Sequence, residues 1–319
     1  MKPRLLLLLL LLLSPAILAD SRVVLVRGAA TDTNAVRAMV RSGITTLTGQ
    51  SNEAAAWQQF VSSNDVVGIK VSTQAGPLQV TRPGVVDAIV AGLRAAGVSS
   101  TNIVVWDRDP DKLSAAGYSG RVIAIAPDGW DAGSFYESKL VGRLIWGDLL
   151  FGREGKELST RSHLPKLLTQ TITKLINVPV LQDHDACGLA GCLHNLSLGL
   201  VDNARRFEMR GQIGDPAIAE ICALPAVRGK LVLNVMDALV AGYAGGASFK
   251  PQYSWPAGAL YFSRDPVAID SLCLELLEAK RREAKVPEIG PRARHIATAA
   301  RLGLGQSDRG QIQLIESGL

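Results

Sequence analysis

The sequence predicts an α/β protein with a mainly parallel sheet that is flanked by helices. Short apolar segments alternate along the chain with segments of helical periodicity. The apolar segments are continuous rather than interrupted by polar residues, as strands buried on both faces of a parallel sheet require. The chain has 319 residues, 47% of them hydrophobic and 20% charged, which excludes a disordered chain and suffices for one large domain.

The first half of the chain supplies four predicted strands with helices between them. We predict these strands at residues 22–28, 65–72, 102–107 and 121–126. We predict the helices at residues 33–48, 53–61, 81–97 and 109–117. Thr81 is the expected cap of the third helix, with Pro83 in its first turn and Gly97 at its end.

The second half resumes this alternation after an irregular segment. Residues 128–162 combine six glycines with aromatic residues, and we predict an insertion here, partly a β-hairpin, that covers a site. Strands are predicted at residues 173–181, 230–236 and 259–263, and helices at 164–170, 216–223, 265–284 and 291–302. The C-terminus is therefore expected to be helical. No linker or repeat divides the chain, so residues 20–319 are expected to form a single domain.

The first nineteen residues have the order of a secretory signal peptide. Lys2 and Arg4 precede an apolar run from Leu5 to Leu13, and Ala19 offers a small residue for cleavage. The run is too short to span a bilayer comfortably, although an uncleaved anchor is the alternative. We therefore predict a periplasmic or secreted protein with no membrane span after cleavage.

The charge balance argues against a nucleic-acid partner. The formal net charge of +5 falls by two when the signal peptide leaves with Lys2 and Arg4. The longest basic run, residues 280–282, is flanked by Glu278 and Glu283, which is typical of a solvated helix face. No basic block with interleaved aromatic residues occurs. We expect a small molecule or anion as the partner instead.

Polar side chains lie at or just after the ends of several predicted strands. These residues are Lys70, Asp107, Asp183, His184 and Asp237. Because the carboxyl ends of parallel strands meet at one edge of a sheet, where ligands bind, we expect these side chains to converge.

Each strand-end residue also has a structural interpretation. Asp107 and Asp237 could cap the turns that follow their strands. Lys70 could be a rim lysine whose stem lies on the sheet. Asp265 would join the same edge if its strand is parallel, but the following Pro266 is typical of a helix N-cap.

Residues 183–195 carry the densest chemistry in the chain, with two of the four histidines and two of the four cysteines. Imidazole and thiolate groups are the usual ligands of transition metals. The metal ligands that we expect are His184, Cys187, Cys192 and His194. Their spacing matches neither a zinc finger nor a ferredoxin-type cluster. His184 is also the expected general base or functional residue, with acidic neighbours that could orient its ring.

Two alternatives stay open for this stretch. In an oxidising compartment Cys187 and Cys192 could form a disulfide. The glycines could instead let backbone N–H groups approach a small anion. The ligand-binding residues would then include Asp107, Asn195, Asp237, Gly188 and Gly191. Elsewhere, Cys222 and Cys273 are expected to be buried thiols, and His163 and His295 to be structural or surface groups.

Four segments resemble the family known as domain of unknown function 362. They are residues 65–72 (DVVGIKVS), 176–200 (INVPVLQDHDACGLAGCLHNLSLGL), 263–272 (SRDPVAIDSL) and 293–305 (ARHIATAARLGLG). Their order and spacing also match. The residues that fit the pattern of the family are Lys70, Asp183, His184, Asn195, Asp237, Asp265 and Asp270.

The resemblance also exposes departures from the pattern of the family. Its members usually have lysine at the position of His194, and Gly-Gly-Pro where this chain has Gly245-Gly246-Ala247. Some relatives carry an added ferredoxin-like cluster domain, but this chain lacks the run of four cysteines that such a domain needs. The resemblance therefore implies no iron–sulfur cluster here.

Two functional hypotheses follow from these patterns. The first is an extracytoplasmic protein with a metal-binding or redox-linked site, either an enzyme or not. In an enzyme, His184, Asp183 and Lys70 would be catalytic, with Lys70 the electrostatic partner of an anionic substrate. The second is a metal-free protein that binds a small anion without catalysis. A structural envelope protein would need an exposed apolar patch for its partner.

Overall fold

The computed structural model describes residues 21–28, 32–76, 78–118, 129–138, 160–208, 214–246 and 248–318. These residues form a mixed, mostly parallel sheet of ten strands flanked by helices, and a separate two-stranded sheet. The predicted fold class is therefore confirmed. The predicted signal peptide at residues 1–19 and the predicted strand at residues 121–126 lie outside the described residues.

The described elements follow one another along the chain as two sets. The strands are β1 (Ser21–Arg27), β2 (Val67–Val71), β3 (Ile103–Trp106), β4 (Trp130–Glu137), β5 (Arg161–Pro165), β6 (Lys174–Val178), β7 (Val180–His184), β8 (Gly188–Ala190), β9 (Leu231–Gly242), β10 (Ser254–Trp255), β11 (Ala259–Ser263) and β12 (Ile312–Ser317). The α-helices are α1 (Thr33–Thr48), α2 (Glu53–Trp57), α3 (Pro83–Ala95), α4 (Pro110–Leu113), α5 (Cys192–Asn195), α6 (Ala217–Cys222), α7 (Pro225–Arg228), α8 (Pro266–Glu283) and α9 (Arg294–Arg301).

The main sheet has the strand order β12-β1-β11-β9-β6-β2-β3. Strands β9, β6, β2 and β3 are parallel to one another, and β12 is parallel to β1. Strand β11 runs antiparallel to both β1 and β9. Strand β7 continues the line of β6 along β9, and β8 folds back on β7 as a hairpin.

Both faces of the main sheet are covered by apolar side chains. Val23 and Leu25 of β1 belong to one buried cluster, whereas Val24 and Val26 belong to the other. Successive strand residues point to opposite faces, so each strand contributes to both clusters. Burial on both faces explains why the strand segments are continuous apolar runs in the sequence.

The reversed direction of β11 corrects the predicted position of Asp265. The carboxyl end of β11 lies at the edge of the sheet opposite to the carboxyl ends of β2 and β3. Asp265 there caps α8 by accepting a hydrogen bond from the Ala268 N–H at 2.9 Å, and it also accepts one from the Ser21 hydroxyl at 2.7 Å. The N-cap interpretation of Asp265 is confirmed.

Several predicted boundaries in the middle of the chain were wrong. The predicted strand 173–181 is two strands, β6 and β7, separated at Pro179. The predicted strand 230–236 continues to Gly242, so Asp237 lies inside β9 rather than after it. Residues 164–170, predicted as a helix, begin with the end of β5 and continue into a π-turn at Leu167–Thr171. Arg82 rather than Thr81 is the N-cap of α3.

The ends of the described chain add two observations. Within residues 128–162, β4 pairs antiparallel with β5, as expected for a partly β-hairpin insertion. The predicted C-terminal helices are present as α8 and α9, but β12 follows them and pairs with β1. No helix among the described residues is both long enough and apolar enough to cross a membrane.

Candidate metal centre

The hairpin of β7 and β8 and the short helix α5 bring together two imidazoles and a thiol. His184 ends β7, Cys187 lies in the turn, and His194 lies on α5. One possible ligand atom from each of these three side chains lies within 4.8 Å of the other two. The structure thus brings together three of the four metal ligands that the sequence predicted.

The hairpin turn depends on Gly188, which lies directly opposite His184 in the β7–β8 register. Gly188 has a φ of +79°, a conformation that side chains with a Cβ rarely adopt. A Cβ at this position would also lie 2.7 Å from the carbonyl oxygen of Ile289. Gly188 is therefore packed against protein atoms, which gives it a role in shaping the hairpin.

Cys192, the fourth predicted metal ligand, lies outside the cluster of His184, Cys187 and His194. It begins α5, where its backbone N–H donates to Asp270 at 2.6 Å. All four cysteines of the chain are buried and free, so the structure contains no disulfide between Cys187 and Cys192. Burial raises the pKa values of both thiols well above their ordinary value.

Glu208 joins the two imidazoles of the cluster, and the sequence analysis missed it. Its Oε1 atom lies 3.4 Å from Nε2 of His194 and 3.9 Å from Nε2 of His184. Burial alone would raise the pKa of Glu208, but the hydrogen bond and charge of His194, and then the charge of His184, lower it to about 2. Glu208 is therefore a carboxylate, the form that attracts a cation.

The rings of His184 and His194 lie close together, with centroids 4.9 Å apart. Burial lowers the pKa of His184 to about 4, and the charge of His194 acts in the same direction. His184 is therefore neutral at physiological pH, as a metal ligand or general base must be. Its Nδ1 accepts hydrogen bonds from the N–H groups of Ala186 and Cys187 at 3.2 and 3.4 Å. The backbone, rather than the acidic neighbours that we expected, orients the ring.

Asp183 belongs to a different environment from its neighbour His184. Adjacent strand residues point to opposite faces, and Asp183 accepts a hydrogen bond from Gly246 N–H at 3.1 Å. The Nη1 atom of Arg281 lies 3.5 Å from the same carboxylate. Burial raises the pKa of Asp183 to about 6, against the effects of the Gly246 hydrogen bond and the Arg281 charge. Asp183 is thus held between Gly246 and Arg281.

Lys70 is fully buried, and its ammonium group makes three hydrogen bonds within the protein. It donates to Asp107 at 2.7 Å, to the Val71 carbonyl at 2.8 Å and to the Asn195 side chain at 2.9 Å. Burial lowers the pKa of Lys70, and the charge of Asp107 opposes this effect. A substrate anion could use Lys70 only by displacing one of these three acceptors.

Asp107 is bound as completely as Lys70. Besides the lysine it accepts hydrogen bonds from the N–H and hydroxyl of Thr73 at 2.8 and 2.6 Å and from Arg108 N–H at 2.6 Å. Burial alone would raise the pKa of Asp107, but the charge and hydrogen bond of Lys70 lower it. The predicted convergence of Lys70, Asp107 and Asn195 is therefore present as a buried ion pair with its own hydrogen-bond partners.

Asn195 extends this buried network towards the centre of the sheet. Its Nδ2 donates to Asn177 Oδ1 at 2.8 Å, and Nδ2 of Asn177 donates to Asn234 at 2.9 Å. Nδ2 of Asn177 also donates to the carbonyl of Cys192 at 3.2 Å. The chain of amides links α5, β6 and β9, so the predicted ligand-binding residue Asn195 anchors α5 to the sheet.

Asp237 is buried within β9 and connects this strand to the start of α3. It accepts hydrogen bonds from Arg82 N–H at 2.9 Å, from Arg82 Nη1 at 3.2 Å and from Leu239 N–H at 3.1 Å. Burial raises the pKa of Asp237, whereas Arg82 acts to lower it. These contacts give Asp237 the structural role that the sequence left open.

The backbone N–H groups that could have bound a small anion already bind a carboxylate of the protein. Asp270 on α8 accepts hydrogen bonds from Cys192 N–H at 2.6 Å and from Leu193 N–H at 2.9 Å, at the start of α5. A Cβ on Gly191 would lie 2.3 Å from Asp270 Oδ1. Gly191 therefore admits the side chain of Asp270, and this arrangement leaves the anion-binding hypothesis without its main donors.

Glu208 could not have been found from the sequence by spacing. It follows a basic and aromatic segment, residues 205–207, which resembles many surface turns. Only the folded chain brings its carboxylate to His184 and His194. The two histidines, in contrast, were predicted because they lie ten residues apart in a segment that is rich in ligand residues.

Comparisons with solved structures give two distant matches. A protein from Thermotoga maritima matches with a TM-score of 0.44 and 10% identity, over 86% of this chain and 60% of its own. The lactate racemase apoprotein from Thermoanaerobacterium thermosaccharolyticum matches with a TM-score of 0.42 and 12% identity, over 76% of this chain and 54% of its own. The chain thus spans less than two thirds of either structure.

The comparison with protein families gives a more specific result. No curated protein matches the chain. The sequence model of a domain of unknown function, DUF362, matches residues 67–275, which is more than half of the chain. The match spans β2, the hairpin, α5 and Asp270, which are the elements that build the cluster and its supports. The chain therefore belongs to the DUF362 family.

Proposed function

We propose that this protein binds a transition-metal ion through His184, Cys187 and His194 in an extracytoplasmic compartment. The observation that carries the proposal is the approach of the three ligand atoms to within 4.8 Å of one another. Ligands about 2.0–2.3 Å from a tetrahedral ion lie roughly 3.5 Å apart. The three side chains therefore need to close by only about 1 Å to hold an ion.

The ligand set favours a borderline ion such as Zn²⁺. Two imidazole nitrogens and one thiolate are soft to borderline donors, which disfavours Mg²⁺ and Ca²⁺. Cys187 is fully buried, so its thiol is protonated without an ion and binding would release that proton. Glu208 adds a negative charge on the side of the imidazoles.

The choice of ring nitrogen is the main structural requirement of this proposal. Nε2 of both histidines faces the same oxygen of Glu208, so an ion bound through these atoms would lie next to the carboxylate. Ligation of His184 through Nε2 leaves the proton on Nδ1. The ring must then release the two long hydrogen bonds from Ala186 and Cys187.

Three protein ligands are typical of catalytic rather than structural zinc sites. Structural sites are usually closed by four protein ligands, whereas catalytic sites keep one position for water or substrate. Glu208 is the most exposed member of the group, with 25% of its side chain accessible. We therefore propose that the open position lies beside Glu208 and that the protein is a metal-dependent enzyme.

The test is the metal content of the full-length chain, purified without chelators and without a polyhistidine tag. We expect close to one ion per chain by elemental analysis, and a thiolate-to-metal charge-transfer band when Co²⁺ replaces the native ion. His184→Ala, His194→Ala and Cys187→Ala should each remove the ion and the band. A wild-type protein that binds neither Zn²⁺ nor Co²⁺ would refute the proposal.

Matched controls separate ligation from damage to the fold. His163→Ala removes a histidine that pairs with Asp202 away from the cluster, and Cys222→Ala removes another buried thiol. Both variants should keep the ion. The compartment is tested separately by fractionating cells that express the full chain. The mass of the exported protein should correspond to a chain that begins at Asp20.

A further inference from the structure

A third buried imidazole lies behind the cluster, and its hydrogen-bonding groups are unused. His295 is fully buried at the start of α9. Neither Nδ1 nor Nε2 of its ring has a hydrogen-bond partner among the described residues. Burying a polar group without a partner costs folding free energy, so an orphaned imidazole in a packed core needs an explanation.

The position of His295 connects it to the hairpin that carries the proposed metal ligands. Residues 289–293, just before α9, lie against Gly188, where a Cβ would be 3.0 Å from Ala293 N and 3.2 Å from Ala293 Cβ. Gly188 in turn follows Cys187 and pairs with His184. The guanidinium of Arg292 also donates to the carbonyl of Asp185 at 3.0 Å.

The electrostatic environment of His295 agrees with this placement. Burial, and then the charges of His194 and His184, lower the pKa of His295 to about 3. All three imidazoles therefore lie in one region of low solvent access. The other histidine of the chain, His163, lies apart from them and has Asp202 as its partner at 3.0 Å.

We propose that His295 is a third imidazole of the metal centre, and that the partner missing from its ring is the ion or a water molecule bound to it. This inference rests on the proposed function and adds one residue to it. His295 lies outside the set of atoms within 4.8 Å, so its contact would form on loading or pass through the water. The unsatisfied ring is then a feature of the metal-free protein alone.

The proposal predicts opposite effects of one substitution on stability and on metal binding. In His295→Leu, an apolar side chain of similar size replaces the orphaned ring. The metal-free variant should resist urea as well as the wild type or better, because no hydrogen bond is lost. Its affinity for Zn²⁺, measured by competition with a chromophoric chelator, should fall about 10–100-fold, the usual effect of removing an outer partner of a metal site.

A measurement on the wild-type chain keeps the proposal testable if His295→Leu does not fold. The four histidines are labelled with ¹⁵N, and Zn²⁺ is added to one equivalent. The ring nitrogens of His295 should shift together with those of His184 and His194, whereas those of His163 should not move. His163→Leu is the matched variant and should bind Zn²⁺ with wild-type affinity.

The outcomes separate this inference from the proposed function. A wild-type chain that binds no Zn²⁺ overturns both. A chain that binds Zn²⁺ through His184, Cys187 and His194, with unchanged affinity in His295→Leu or unmoved His295 signals, overturns the role of His295 alone. Loss of stability in His295→Leu with unchanged affinity identifies His295 as a packing residue.

Discussion

Replacing Lys70 by methionine tests whether this buried lysine stabilises the fold or serves a substrate. Lys70→Met keeps the side-chain stem but removes the ammonium group, which donates to Asp107, Asn195 and Val71 at 2.7–2.9 Å. Asp107 then remains as a fully buried carboxylate without its counter-ion. Removing one member of a buried ion pair costs about 3–5 kcal/mol, so we expect the free energy of unfolding to fall by that amount.

Urea unfolding of four proteins measures this effect and its cause. They are the wild type, Lys70→Met, Asp107→Asn and the double variant. Because the double variant has no unpaired charge, we expect it to be more stable than Lys70→Met alone. A loss of less than about 1 kcal/mol in Lys70→Met, the value typical of an exposed pair, would refute the reasoning. So would a double variant whose loss equals the sum of the two single losses.

Three further predictions concern α5 and its surroundings. Gly191→Ala places a Cβ 2.3 Å from Asp270 Oδ1 and should lower the free energy of unfolding by about 1–3 kcal/mol, whereas Gly84→Ala, with open space around it, should not. Burial raises the pKa of Asp270 to about 7, against the hydrogen bonds from Leu193 and Cys192. The folded state therefore binds the extra proton, and urea unfolding should show stability falling as pH rises from about 4 to about 7, by up to about 1.4 kcal/mol per unit. Asp270→Asn should flatten this dependence, and an equal slope in both proteins would contradict the assignment. Glu208→Gln should weaken Zn²⁺ binding about 10-fold in the chelator assay, with Glu275→Gln, a change on the surface, leaving it unchanged.

The sequence was most informative where structure depends on neighbouring residues. Helix α1 and strand β11 have the predicted bounds, because apolar periodicity and turn residues are local properties. The direction of β11 was not predictable in this way. A strand segment has the same composition whether it runs parallel or antiparallel to its neighbours, and only the pairing with β1 and β9 shows that Asp265 lies at the opposite edge.

The same limit applies to the polar residues of the candidate site. His184, Cys187 and His194 could be predicted as a group because one hairpin and one helical turn carry all three. Lys70 and Asp107 were predicted to converge, and they do, but the sequence could not show that each is fully buried and fully bonded. Whether a strand-end lysine faces solvent or a carboxylate depends on elements far along the chain, here β3 and α5.

Helix α5 explains why a buried ion pair and a candidate metal centre occur side by side. Four residues form too short a helix to be stable alone, so its position must come from its contacts. Asp270 binds its first N–H groups, and Asn195 fastens its last turn to Lys70 and Asn177. His194, one residue before Asn195, is thereby placed opposite His184 without support from its own side chain. Preorganised ligands require such a rigid second layer, and the buried ion pair supplies it. The convergence of polar residues that first suggested a binding site therefore serves to position the imidazole rather than to contact a substrate.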